Sequence, residues 1–156
     1  MNEGLSKNVA LTSVFTAAYT VLTLALSPIS FYLIQVRISD SLLALSIIFG
    51  PPAIVGSTLG CFIANLLGPF GIIDAIGGSI ANLAATSIGW KLRKRKTIAL
   101  FQMPLTVSLI VSSYLHGLLG LPILVTFLYL LIGSVISIDV MGFLLLKFLS
   151  AYHPSS

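Results

Sequence analysis

Residues 98–119 read IALFQMPLTVSLIVSSYLHGLL, a run without a single lysine, arginine, aspartate or glutamate. A helix of about 20 apolar residues is long enough to cross the hydrocarbon core of a bilayer. The whole chain shares this character, since 57% of its 156 residues are hydrophobic and only 8% are charged. A soluble domain carries roughly a quarter charged residues, and a core of this size would not bury so many apolar side chains. The composition therefore predicts an all-α integral membrane protein.

The same length criterion divides the chain into six helices within a single transmembrane domain, residues 1–156. Glycine and proline mark the breaks, for example at Gly50-Pro51-Pro52 and Gly68-Pro69, because proline cannot continue a helix. The predicted helices cover approximately residues 8–27, 39–49, 53–67, 72–90, 98–119 and 122–149. The second is exceptional, since eleven α-helical residues rise only about 16 Å, and we expect it to be buried in protein. These lengths predict a six-helix transmembrane bundle.

Basic residues predict the orientation of the bundle. Five of the eight lie within residues 91–96, and such a cluster is typical of a cytoplasmic loop. Lys7 obeys the same rule, so an even number of crossings must separate it from the cluster, and counting the short helix gives four. We therefore expect a multi-pass protein of the cell membrane with both termini in the cytoplasm. A cluster confined to one loop does not form a nucleic-acid-binding face.

Polar side chains within the apolar helices are the candidates for a binding site, because an ionisable group at membrane depth is costly. In the predicted topology they converge on the outer ends of the helices, which indicates a cavity open to the exterior. The candidates are Gln35, Arg37, Asp40, Asn65, Asp74 and His116. Three of them have a simple structural alternative: Asp74 can cap a helix, Asn65 can form an interhelical hydrogen bond, and His116 can be an interfacial residue. Arg37 is either a cavity wall or a side chain that pairs with Asp40 or reaches the interface.

Small residues recur at helical spacing on three of the predicted helices. The stripes are Gly56-xxx-Gly60-xxx-Ala64, Ala81-xxx-Ala85-xxx-Gly89, and the group Ala10, Ser13, Ala17 and Ala18. Such stripes let helices approach closely in lipid. They serve either packing within the chain or the docking of a partner subunit.

Motifs for catalysis are missing from the sequence. It contains no P-loop, no His-Glu-x-x-His zinc motif and no Gly-x-Ser-x-Gly nucleophile elbow. Cys61 is the single cysteine, which excludes an intrachain disulfide and a cysteine metal cluster. The sequence thus predicts a protein that is not an enzyme and has no catalytic residues, metal or cofactor.

Several runs between residues 19 and 90 form a family pattern. They are YTVLTLAL at 19–26, QVRISD at 35–40, LGCFIANLLGP at 59–69, GIID at 71–74 and GSIA at 78–81, with GLP following at 120–122. With these motifs the chain resembles the queuosine-precursor transporter family, QueT. Members of that family resemble the substrate-binding S components of energy-coupling factor (ECF) transporters.

This resemblance implies a six-helix bundle of the ECF S-component type that binds a 7-deazaguanine such as preQ0, preQ1 or queuine. Energy for uptake would come from a transmembrane coupling protein and two ABC ATPases in separate chains, which accounts for the missing P-loop. The first helix would face the coupling protein, so that Ala10, Ser13, Ala17 and Ala18 form part of the docking surface.

The resemblance also suggests roles for individual residues. Asp74 and Asn65 would read the polar edge of the ligand, with Gln35 and Arg37 in support, and the aromatic candidates for stacking are Tyr32, Phe70 and Tyr114. Family members generally have acidic residues near the positions of Tyr114 and Ser134. This departure leaves two alternatives open, an S component for another small heterocycle or vitamin and a membrane scaffold that transports nothing.

Overall fold

The computed structural model describes residues 3–32 and 34–152, and this part of the chain is almost entirely helical. Its elements are α1 (Glu3–Ala25), α2 (Ser27–Ser30), a 3-10 helix (Ile38–Leu45), α3 (Ser46–Phe49), α4 (Pro51–Leu66), α5 (Gly71–Lys91), α6 (Lys96–Leu119), α7 (Ile123–Ser134), a π-helix (Val135–Met141) and α8 (Gly142–Tyr152). No strand occurs among the described residues. The predicted all-α class is confirmed.

Four helical stretches are long and apolar enough to cross a membrane. They are Glu3–Ala25, Gly71–Lys91, Lys96–Leu119 and Ile123–Leu149, while Ile38–Phe49 and Pro51–Leu66 are shorter. This pattern is that of a multi-pass membrane protein. The predicted count of six helices is not confirmed, because seven helical stretches are present in the described part of the chain. The extra one is the single turn α2, which follows α1 and has its proline in the first turn, where proline is tolerated.

The first long helix and α4 lie side by side and run in parallel. A Cβ atom on Gly56 would lie 2.5 Å from the Cβ of Phe15, and one on Gly60 would lie 2.7 Å from the Cβ of Tyr19. The Thr16 hydroxyl donates to the Gly56 carbonyl at 3.2 Å across the same contact. Only glycine permits this approach, so the predicted stripe on α4 serves packing within the chain.

The stripe on α5 serves packing in the same way. Ala81 and Ala85 are completely buried, and Gly89 faces the side chain of Met103 on α6. By contrast, Ala10, Ser13 and Ala17 on α1 are exposed, and Ala18 is partly exposed.

The short second helix is explained by the path of the chain before it. The backbone of Ile34 and Gln35 lies against Gly133, which is ten residues into α7 and therefore about 15 Å from its start. The chain has thus already entered the bundle before the 3-10 helix begins. A 3-10 helix rises about 2 Å per residue, so Ile38–Phe49, with eight 3-10 and four α-helical residues, spans about 22 Å, whereas an α-helix of the same length would span about 18 Å. Leu43 and Ala44 are fully buried, as predicted for a helix enclosed by protein.

Candidate functional site

A small polar cavity lies where the segment 34–37 enters the bundle. It is bounded by this segment, the 3-10 helix, α5, α6 and α7. The lining residues are Gln35, Arg37, Asp40, Asp74, Gly78, Asn82, Val107, Val111, Leu130 and Ser134. The cavity is small: about 20 Å³ is accessible to the centre of a water molecule, so the cavity holds one or two waters.

The side chain of Gln35 lines the cavity, and its backbone conformation is strained. Its φ of 36° is the only positive value among the described residues other than glycine, and a bulky side chain disfavours this conformation. The segment is held in place by Gly133, since a Cβ there would lie 2.7 Å from the carbonyl oxygen of Gln35. The side-chain nitrogen Nε2 of Gln35 is buried and has no hydrogen-bond partner. Strain of this kind persists where the surrounding structure enforces it, often at a ligand site.

Asp40 belongs to a hydrogen-bonded group that joins three helices. The Tyr19 hydroxyl of α1 donates to Asp40 Oδ1. Asn82 Nδ2 of α5 donates to the Tyr19 hydroxyl oxygen at 3.0 Å. Tyr19 is completely buried, and its ring packs against Gly60 of α4. The carboxylate of Asp40 is therefore fixed from α1 and α5 while it lines the cavity.

Asp74 presents one free carboxylate oxygen. Tyr114 donates its hydroxyl proton to Asp74 Oδ1 at 2.7 Å, and its ring lies over Gly77, where any side chain would collide with it. Asn65 Nδ2 donates to the main-chain carbonyl of Asp74 at 3.0 Å. The second carboxylate oxygen, Oδ2, is buried and unpartnered. Asp74 is therefore oriented by its neighbours and retains one acceptor for a ligand.

Arg37 is buried, with only 7% of its surface exposed, and it lines the cavity together with Asp40 and Asp74, although its direct side-chain contacts are with uncharged groups. Its guanidinium carbon lies 5.2 Å from the centre of the Phe31 ring, and Nη1 donates weakly to Cys61 Sγ at 3.8 Å. Within the described residues, no ion pair joins Arg37 to either carboxylate of the cavity. Of the alternatives left open for Arg37, a direct ion pair with Asp40 is therefore not observed, and Arg37 lines the cavity.

The fold brings most of the predicted site residues together. The cavity is lined by four of them, Gln35, Arg37, Asp40 and Asp74. Asn65 and Tyr114 do not line it but form hydrogen bonds to Asp74. His116 does not line it, because two residues beyond Tyr114 correspond to a rotation of about 200° around the helix. Of the other stacking candidates, Tyr32 is 68% exposed and Phe70 packs against the hydrophobic core. Neither of them lines the cavity.

Sequence reasoning missed Tyr19, which anchors Asp40. Its spacing offered a signal, because Phe15, Tyr19 and Thr23 recur every four residues and form the buried face of α1. A tyrosine hydroxyl buried in an apolar helix needs a hydrogen-bond partner, and that requirement points to a polar group nearby.

The amino-acid sequence matches the family described as QueT transporter over residues 9–151. The chain belongs to the QueT transporter family. The match covers every residue of the cavity. No curated protein and no solved structure matches the chain. Membership of the QueT family identifies a membrane transport protein, and nothing about the cavity indicates catalysis.

The polar groups of this cavity can form hydrogen bonds to a small polar ligand. Two of its side chains hold an unpartnered polar atom, the donor Nε2 of Gln35 and the acceptor Oδ2 of Asp74. A buried polar atom without a partner costs roughly 1–3 kcal/mol. A ligand that offers both an acceptor and a donor therefore gains affinity by satisfying the two atoms at once.

Proposed function

We propose that this protein is the substrate-binding S component of an ECF-type importer and captures a 7-deazaguanine precursor of a modified tRNA base. Membership of the QueT family supports the transport class. The observation that carries the proposal is the pair of unpartnered atoms in the cavity, Gln35 Nε2 and Asp74 Oδ2. The protein binds the precursor at the outer face and passes it to partner subunits that supply the energy.

The edge of a 7-deazaguanine ring suits this pair. Its carbonyl oxygen accepts a hydrogen bond, which Gln35 Nε2 can donate. The neighbouring ring N–H and the exocyclic amino group are donors, which Asp74 Oδ2 can accept. Hydrogen bonds to an ionised carboxylate are roughly twice as strong as neutral ones, so Asp74 contributes most to affinity.

Loading requires the cavity to widen. The present space holds one or two water molecules, whereas a fused-ring heterocycle is several times larger. The segment 34–37 is the mobile wall in this proposal, because it lies outside the helices and its backbone touches α7 at Gly133.

The docking surface for the coupling protein is the exposed face of α1 around Ala10, Ser13, Ala17 and Ala18. The first helix is the least buried of the four long apolar helices. Its opposite face holds Tyr19 against the cavity. The Ser13 hydroxyl donates to the Val9 carbonyl at 3.0 Å, so this face offers no free polar group and suits a helix in lipid.

The test is ligand-dependent stability of the purified protein in detergent without ATP. A compound that binds only the folded form raises the melting temperature, and we expect a saturable rise with 7-deazaguanines. The Asp74→Ala variant should lose this shift while remaining folded. Asp139→Ala is the matched control, because Asp139 lines a separate apolar cleft between α6 and the last helices and should leave the shift intact.

The same measurement is made with purines and vitamins, because Tyr114 leaves the identity of the substrate open. This residue stands near a position where QueT-like sequences generally carry an acid, and here its hydroxyl binds Asp74. A shift with a vitamin alone would replace the deazaguanine with another substrate of the same transport class. The absence of any shift at saturating concentrations would refute the transport proposal and favour a scaffold.

A further inference from the structure

A second and much larger space lies at the surface of the bundle, between α6 and α8. About 720 Å³ of it is accessible to the centre of a water molecule, compared with about 20 Å³ in the polar cavity, and the two spaces share no lining residue. Within the described residues, α6 packs against α7 and the π-helix but makes little contact with α8. The cleft therefore opens where α6 and α8 separate, at the end of the bundle that carries Lys96 and Lys147.

The walls of this cleft are apolar. Phe101 of α6 and Phe143 and Leu144 of α8 line it, and more than half of the surface of each of these residues is exposed. Asp139 of the π-helix also lines the cleft, but only 9% of this residue is exposed and its Oδ1 is buried. A broad apolar surface with so few polar groups suits the acyl chain of a lipid.

The mouth of the cleft is basic. Lys96 at the start of α6 and Lys147 in α8 are both exposed there, and in the described part of the chain neither ammonium group forms an ion pair. The first turn of α6 has neither an acidic residue nor a capping side chain, so its backbone N–H groups are available to an anion. Lys96 also ends the basic loop that is predicted to face the cytoplasm, where the membrane leaflet contains anionic lipids.

We propose that this cleft binds one anionic phospholipid of the cytoplasmic leaflet. Its phosphate lies between Lys96 and Lys147, and an acyl chain runs along Phe101, Phe143 and Leu144. Two exposed cations oppose a single, largely buried carboxylate, so the charge of the site complements that of the lipid. Basic pockets between transmembrane helices on the cytoplasmic side bind head groups of this kind. The lipid fills the gap between α6 and α8, and this role goes beyond the function proposed for the polar cavity.

The test compares two lipids with identical acyl chains, phosphatidylglycerol and phosphatidylcholine, which are titrated into the protein purified in detergent. Native mass spectrometry counts the retained lipids and gives their dissociation constants. We expect one phosphatidylglycerol to bind at least about tenfold more tightly than phosphatidylcholine and to raise the melting temperature. Glycerol 3-phosphate carries the anionic group without the acyl chains and should not compete at the same concentration.

The double variant Lys96→Gln/Lys147→Gln locates the head group. We expect its affinity for phosphatidylglycerol to fall about thirtyfold, which is roughly fivefold for each lysine. The matched control is Lys91→Gln/Lys94→Gln, which removes the same charge from exposed residues of the same loop that do not line the cleft. Its affinity should fall by less than about fivefold, because charges outside the cleft are screened by salt.

Equal affinities of the unmodified protein for the two lipids would overturn the proposed site. Equal losses in the two double variants would also overturn it, because the attraction would then belong to the basic end of the bundle in general. Unchanged lipid affinity in Lys96→Gln/Lys147→Gln, together with weaker recovery of the complex with the coupling protein, would assign the cleft to a helix of that partner instead. The comparison of the two lipids needs no variant, so it stands even where the double variant does not fold.

Discussion

At the scale of single residues, the cavity depends on a contact between a glycine and a backbone segment far away in the sequence. Gly133 has no Cβ, and the carbonyl oxygens of Ile34 and Gln35 occupy the space where one would lie. This contact lets Gln35 keep its positive φ and directs its amide toward the cavity. Gly133 therefore positions Gln35, the residue that we propose contacts the ligand.

Replacing Gly133 with alanine tests whether this contact positions Gln35. The new methyl group must displace the segment 34–35, and overpacking of this kind costs about 1–3 kcal/mol of folding free energy. We expect a lower melting temperature and a weaker ligand-induced shift, because Gln35 loses its position. Gly117→Ala is the control, since a Cβ at Gly117 meets nothing within 4 Å. Unchanged ligand affinity in Gly133→Ala would show that the contact at Gly133 does not position Gln35.

At the scale of elements, sequence pattern predicted the helix ends that glycine and proline impose. Gly50 has a φ of 60° and Pro51 opens α4, two residues before the predicted start because proline is tolerated in the first turn. The 3-10 helix at Ile38–Leu45 was not predictable, since its local sequence is compatible with an α-helix. The helix is a 3-10 helix because the chain has already entered the bundle where it passes Gly133. That position is set by a contact with a residue about 100 positions away in the sequence.

The parallel pair of α1 and α4 provides an element-scale prediction. Gly60→Val would force a branched side chain into the Cβ of Tyr19, 2.7 Å from the first added atom. We expect the helices to separate, the melting temperature to fall and ligand affinity to drop at least severalfold as Tyr19 moves away from Asp40. Thermal unfolding and ligand titration measure the two effects. Gly4→Val on α1 has open space around its Cβ, and a matching loss there would contradict the packing argument.

At the scale of the whole molecule, the polar residues were the informative part of the sequence. In an apolar chain, Gln35, Arg37, Asp40 and Asp74 were conspicuous, and the fold gathers them in one cavity. Tyr19 was not conspicuous, because an aromatic residue on a buried helix face is usually part of the core. The predicted orientation of the termini stays a prediction, since an isolated bundle contains no membrane to define its two sides.

Assembly with partner subunits is a property of the whole molecule. Ala17→Trp places a large ring on the exposed face of α1 and should reduce co-purification with the coupling protein and ATPases at least severalfold. The ligand-induced melting shift should remain, since the cavity faces the opposite side of that helix. Leu109→Trp is the control, because Leu109 is similarly exposed on α6. Equal recovery of the complex with Ala17→Trp and the unmodified protein would refute the docking face.

Cys61 gives the molecule its own chemical reporter. It is the only thiol of the chain, it is completely buried, and its sulfur touches Arg37 and Asn65 beside the cavity. A small alkylating reagent can reach it only while the bundle is open at this end. The rate of alkylation therefore measures how often the unliganded protein opens, and a bound substrate should slow that rate without any engineered label.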